Sequence, residues 1–280
     1  MKTSKKTTRW TMLIAKLALA PLAVGALAGA AATPEWSLPH GTAVKQSGTR
    51  TYRFTIDYVN ADGKGEIMQR QHLRGDYTRG LPDGKVEWNN VSQADAVGAT
   101  EPFGTPQRRE FMSPFRYVNR LGDTMKPDFF AGFPPMAMNE RNLVWDTGMI
   151  EFYGQGFFDH LELNVPFHLS EARDINIPGV GTFQNRDIVL EWIGRSRRNG
   201  KDCAVINYHA FLNPLKLAME GMKMEARSEY WGQIWVAVAS KQIEYGTLYE
   251  TVVGQLQLAG QPQPQVVNVF RSGVLEPVAQ

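Results

Sequence analysis

Apolar and polar residues alternate with a period of two through most of this chain, and only extended strands whose two faces meet different surroundings satisfy that pattern. From Thr51 to Val59, Tyr52, Phe54, Ile56 and Tyr58 fall on one face while Arg53, Thr55 and Asp57 fall on the other. Asp62-Gly63 supplies a turn, Gly65 to Arg79 continues as extended chain, and Asp83-Gly84 turns it again into a strand from Lys85 to Val97. In the second half Ile188, Leu190 and Trp192 alternate with Val189, Glu191 and Ile193. Asn199-Gly200 tolerates the positive φ angles of a tight hairpin turn, so Cys203 to Phe211 reads as the return strand. Strands from Met222 to Ala239, Gln242 to Leu258 and Val266 to Leu275 complete the set. The pattern predicts a mainly β fold of about nine to twelve antiparallel strands, either a curved half-barrel or a sandwich, with one or two short helices over it.

The first 32 residues differ in kind. Lys2, Lys5, Lys6 and Arg9 precede an apolar run from Leu17 to Ala28, and Ala30-Ala31-Ala32 offers a cleavage site, the layout of a secretory signal. Lys16 and Pro21 break the stretch and leave an apolar core of about 12 residues, short of the roughly 20 that a membrane span needs. The expected product is a single antiparallel β domain, residues 33–280, that is periplasmic or secreted, with no lipid-attachment cysteine near the cleavage site. Cleavage removes five cations and no acid from 30 Lys+Arg and 28 Asp+Glu, so the mature chain is slightly acidic, net −3. That balance speaks against nucleic acid, whose binders keep a basic surplus. The short group Arg195, Arg197, Arg198 and Lys201 and the pair Arg108-Arg109 read instead as solvated loop or hairpin ends. Cys203 is the one cysteine and reads as a small buried hydrophobe.

Helix signals are few. Asn213-Pro214 looks like a cap and first-turn proline for two turns over Leu215 to Glu220, with Gly221 as stop. A second helix is expected over Asp146 to Leu161, where Met149, Tyr153, Phe157 and Leu161 repeat at four-residue spacing behind Asp146. Leu121 to Val144 shows no usable period and is rich in Met, Phe and Pro, so it caps an open end of the barrel or forms a lid over an apolar ligand.

Chemistry is hard to find. On the strand from Met222, Glu225, Arg227, Glu229, Trp231, Gln233 and Trp235 share a face opposite Met222, Met224, Ala226, Tyr230, Ile234 and Val236. Glu225 and Glu229 are roughly 13 Å apart on a regular strand, too far for the paired acids of a glycosidase. Trp231 and Trp235, with Trp88 or Trp192, could make a sugar-stacking platform, although two packed sheets burying both faces suit tryptophan better. Met219-x-x-Met222-x-Met224 has the sulfur content of a Cu(I) site but reads as core filling. His40, His72, His160, His168 and His209 are scattered without zinc-ligand spacing, and no G-x-S-x-G elbow is present. No catalytic residue, metal ligand or cofactor is assigned.

The C-terminal pair Tyr230-Trp-Gly-Gln-Ile-Trp-Val236 and Lys241-Gln-Ile-Glu-Tyr245, behind a signal and among long strands with apolar lids, resembles the periplasmic lipoprotein-carrier group of the LolA, LolB and LppX type. The resemblance implies an incomplete barrel, covered by helices, that holds acyl chains. From the residues themselves, Phe129, Phe130, Phe133, Met136 and Met138 are expected as lid, with Phe152, Phe157 and Phe158 from the helix beneath, lining a mostly apolar cavity. The expected partners are a lipid or other apolar small molecule, or an envelope protein, with no nucleic acid and no membrane span after signal removal. The competing classes are an envelope structural or interaction domain and a carbohydrate-binding or carbohydrate-processing sandwich.

Overall fold

The structure, a computed structural model, describes Leu38 and residues 48–120, 122–126, 128–169, 174–177 and 180–279. The expected signal, residues 1–32, lies outside the described residues, and all of those described fall in the unit Trp36–Gln280.

Among the described residues thirteen strands form one antiparallel sheet. They are β1 (Arg50–Asp62), β2 (Ile67–Arg79), β3 (Lys85–Val97), β4 (Gln107–Arg108), β5 (Phe115–Val118), β6 (Phe167–Leu169), β7 (Asp174–Ile177), β8 (Gly181–Gln184), β9 (Ile188–Arg198), β10 (Lys201–Met219), β11 (Met222–Ala237), β12 (Ile243–Leu258) and β13 (Gln265–Pro277). The order β4-β3-β2-β1-β13-β12-β11-β10-β8-β7 does not close on itself. At β10 the sheet forks: Lys201–Ala210 pairs with β9, and Leu215–Leu217 pairs with β8. The half-barrel expectation is met in its open form, whereas the sandwich is not found. One face, called inner below, carries a helix and an aromatic segment; the other is open.

Alternation decides which residues are buried. Tyr52, Phe54, Ile56 and Tyr58 of β1, Tyr230, Ile234 and Val236 of β11, and Trp88 and Trp192 all point inward and are buried in one core cluster. Among the described residues no second sheet covers the outer face, so the β11 tryptophans are not enclosed on both sides. Trp231 is 39 % exposed, and Trp88 and Trp192, fully buried on the opposite face, cannot join it in a platform.

The predicted helix over Leu215 to Glu220 is instead the end of β10. Asn213 caps no helix: its buried amide donates to the Ala210 carbonyl (3.0 Å) and accepts from the Arg186 amide (3.0 Å). These bonds hold a bulge between Ala210 and Asn213, where Leu212 takes φ +60°, and the bulge admits Pro214 to the strand. Leu215, Leu217 and Met219 then resume strand alternation.

The helix of the inner face is α1 (Met138–Glu151), continued by a wider π turn over Phe152–Gly156 and a short 3₁₀ turn at Phe158–His160. It starts eight residues before the expected Asp146, which lies in its middle rather than at its cap. Its sheet-facing side carries Leu143, Val144 and Ile150 but also three buried acids. Glu140 pairs with Arg109 (2.7 Å), Asp146 with Arg271, and Glu151 with Arg79 (3.1 Å). Acids at inward positions erase the apolar stripe by which an amphipathic helix is recognised. Gly154 permits the close approach of this segment, since a β-carbon there would lie 3.1 Å from the Ile234 side chain.

Candidate apolar-ligand face

Beyond the part of the inner face that the core cluster occupies, the sheet stays apolar but is only partly covered by the described residues. Leu215, Leu217 and Met219 of β10, Met222 and Met224 of β11, Leu256 and Leu258 of β12, and Val267 of β13 are only half-buried and lie outside the core cluster. Register makes them contiguous. Met224 sits directly opposite Leu217 on one side and Leu256 on the other, and Met222 sits between Met219 and Leu258 in the same way. Directly paired side chains are about 5 Å apart, so two three-residue rows merge into one strip. On the outer face of the same strands Lys216 pairs in register with Glu225, and Lys223 and Arg227 are exposed. This end of the sheet is therefore amphipathic, with its apolar side toward the helix-bearing face.

The sequence-predicted lid residues divide into two groups. Phe129, Phe130 and Phe133 come together, with ring centroids 4.8 Å apart for Phe129–Phe130 and 5.0 Å for Phe130–Phe133. Phe115 and Trp145 complete this cluster around Phe130 at 6.3 and 5.4 Å, and the Arg141 guanidinium lies over the Phe130 ring at 5.5 Å. Phe130 is buried, while Phe129 and Phe133 are half-buried against the core. Met136 projects into solvent at 74 % exposure, and Met138 opens α1, half-buried. In the second group Phe152 packs on Phe157 (4.8 Å), which reaches Phe167 of β6 (5.6 Å), and Phe158 is fully buried under the Lys241 ammonium. Segment 121–144 thus carries a 3₁₀ turn at Asp123–Met125 and the first half of α1 among its described residues.

The Met/Leu strip was visible in the sequence only in part. Alternation puts Met222 and Met224 on the inner face, but the local pattern puts Leu215, Leu217 and Met219 in a helix, and the register that joins them is a property of the folded sheet.

The outer face carries a different feature. Trp231, Tyr249 and Phe270, on three neighbouring strands and all exposed, border a depression of about 190 Å³ together with Val59, Asp57, Thr251 and Ser272. The Trp231 and Tyr249 rings lie nearly parallel, 6.0 Å apart. Asp57 binds His72 Nδ1 at 2.7 Å at its edge. The basic groups weighed earlier are engaged: Arg195 with Asp202, Lys201 with Glu244, Arg198 over the Tyr245 ring, and Arg109 with Glu140. Glu229 pairs with Arg227 of the same strand at 3.5 Å. Among the described residues no group of His, Cys, Asp and Glu is arranged to hold a metal ion, and no helix is long and apolar enough to cross a membrane.

No protein-family model matches the chain, and no curated protein matches it. Among solved structures, one titled "Lipid-protein interactions in lipovitellin" aligns at 15 % identity with a TM-score of 0.40, over 84 % of this chain and 25 % of that one. The chain thus spans about a quarter of the lipovitellin chain. An acetoacetate decarboxylase-like enzyme from Sphingomonas wittichii RW1 aligns at 9 % identity with a TM-score of 0.10, over 87 % of this chain and 99 % of that one. Neither likeness is strong enough to bear on function.

Proposed function

We propose that this chain is an exported binding or carrier protein that holds an apolar, lipid-like ligand against the uncovered strip of the inner face, with the Phe129–Met138 segment as its lid. The half-exposed Met/Leu strip carries this reading: contiguous apolar surface on one face of an open sheet marks a site where something apolar docks. Each methylene withdrawn from water contributes about 0.8 kcal/mol, enough for non-covalent uptake of a chain of modest length. Methionine side chains adapt to ligands of differing shape. Under α1 itself the space is filled by Leu143, Val144, Ile150 and Phe158, so the ligand lies beside the helix rather than beneath it. Export follows from the N-terminal signal pattern, and the reading needs no cofactor.

Solvent extraction of the purified protein followed by mass spectrometry tests this. Acyl species are expected with the wild-type chain and are expected to vanish in a Met224→Asp/Leu256→Asp variant that remains folded. Purification without acyl species, together with failure to bind a fluorescent fatty-acid analogue, overturns the reading.

The aromatic depression on the outer face supports a second reading, a carbohydrate-binding module whose sugar stacks on Trp231 and Tyr249 with Asp57 and Ser272 as hydrogen-bonding rim. Binding on a glycan array that Trp231→Ala abolishes, with no lipid extracted, favours it over the carrier.

A further inference from the structure

The inner face holds a buried cluster whose charges do not cancel. Arg271 of β13 donates through one terminal nitrogen to Asp146 of α1 and through the other to Glu250 of β12, and all three side chains are at most 10 % exposed. Two carboxylates therefore share one guanidinium. The groups facing them from neighbouring strands add no cation: Tyr58 of β1 lies under Arg271 at 5.2 Å, its hydroxyl accepting from Asn142 of α1; Ser228 of β11 donates to Glu250; and Tyr208 of β10 lies within electrostatic reach. Elsewhere the count differs. Glu140 and Glu151 each have an arginine, and Glu244 has both Arg50 (2.7 Å) and Lys201 (2.6 Å). With both acids ionised, the Arg271 cluster buries one uncompensated negative charge, which a single proton removes.

We infer that α1 is a proton-controlled cover of the inner face, seated firmly while Asp146 carries a proton beside the Arg271–Glu250 pair and loosened when that proton leaves. Burial pushes the Asp146 carboxyl up to about 7, with Arg271 pulling it down and Glu250 pushing it further up. An acid whose affinity for its proton rises on folding stabilises the folded arrangement most below its ordinary range, and that contribution falls as pH climbs toward about 7. The loss is local, because Asp146 belongs to the helix while its partners belong to the sheet. Opening α1 uncovers the apolar residues beneath it. The switch belongs to the chain and needs no ligand, so it stands apart from the identity of what the inner face binds.

Hydrogen–deuterium exchange on the full chain from pH 5.5 to 8.5, with times scaled for intrinsic exchange, tests it. Peptides spanning Met138–Glu151 are expected to lose protection on the order of tenfold more than those of β12 and β13 as pH rises from 5.5 to about 7, and to level off above it, one pKa unit being tenfold. Asp146→Asn is expected to abolish that difference. Glu250→Gln, which leaves Asp146 alone with Arg271, is expected to do the same and covers the case in which the first variant does not fold. Equal pH profiles for wild type and variants, protection that rises with pH, or an Asp146 carboxyl that titrates near 4 by carbon-13 NMR overturns the inference.

Discussion

Nη1 of Arg79, on β2, lies 3.1 Å from Oε1 of Glu151, the last residue of α1, and fastens the end of the helix to a strand far from it in sequence. The carboxylate also accepts from Tyr77 (3.2 Å) and Asn119 (2.7 Å), so both of its oxygens are engaged inside the protein. Removing the acid leaves a mostly buried guanidinium without a counter-charge. Glu151→Ala is expected to destabilise the fold by about 3 kcal/mol, read as a lower urea midpoint at unchanged slope.

Phe130 is both a predicted lid residue and part of the observed core cluster. Phe130→Ala is expected to cost about 3–4 kcal/mol, because the ring is buried among four other aromatics. Met136→Ser, at an exposed position, is expected to stay within about 0.5 kcal/mol. Paired chemical denaturation curves check both. If Met136→Ser weakens lipid-analogue binding without moving stability, the lid role belongs to the exposed part of the segment.

The bulge in β10 rests on Asn213. Asn213→Ala deletes one buried and one partly buried hydrogen bond and leaves the Ala210 carbonyl and the Arg186 amide without these partners, an expected loss of about 2 kcal/mol. Exchange of the Arg186 amide is expected to accelerate more than exchange along β12, which separates local loosening from global unfolding.

Glu244 has the opposite pH behaviour to Asp146. Burial disfavours its charge, but hydrogen bonds from Arg50, Lys201 and Asn199 outweigh it and hold the carboxyl below its ordinary range. Its stabilisation is therefore present above about pH 4.5 and lost as pH falls through the lowered pKa. Glu244→Gln is expected to lower the wild-type urea midpoint at pH 7 and to converge with it in acid, whereas Asp146→Asn is expected to match wild type in acid and exceed it at pH 8.

Tryptophan exposure separates the two faces. Among the described tryptophans, acrylamide is expected to reach Trp231 while leaving Trp88 and Trp192 shielded. Single-tryptophan variants read by fluorescence quenching check this, and added soluble oligosaccharide protects Trp231 only if the outer face binds sugars.

Most of the sheet could be read locally, because side-chain direction in a strand repeats every two residues and burial of one face writes itself into the sequence. The inner positions of β1 follow from that rule, and the start of β3 and the Asn199-Gly200 hairpin follow from the turn residues beside them. What local pattern could not supply was any feature set by partners distant in the chain. Asp146 reads as a helix cap until Arg271 arrives from the sheet, and Glu140 and Glu151 are buried only because Arg109 and Arg79 come from distant segments to pair with them. Asn213-Pro214 looks like a helix start until Arg186 shows that it holds a bulge. Leu217, Met224 and Leu256 become one apolar surface only through strand register, which is fixed by hydrogen bonding between chain segments and not by any of them singly. The alternation in the sequence determined a large antiparallel sheet with one apolar side, while the tertiary structure alone decided how much of that side α1 covers, since the helix is anchored by buried charges whose partners no local pattern records.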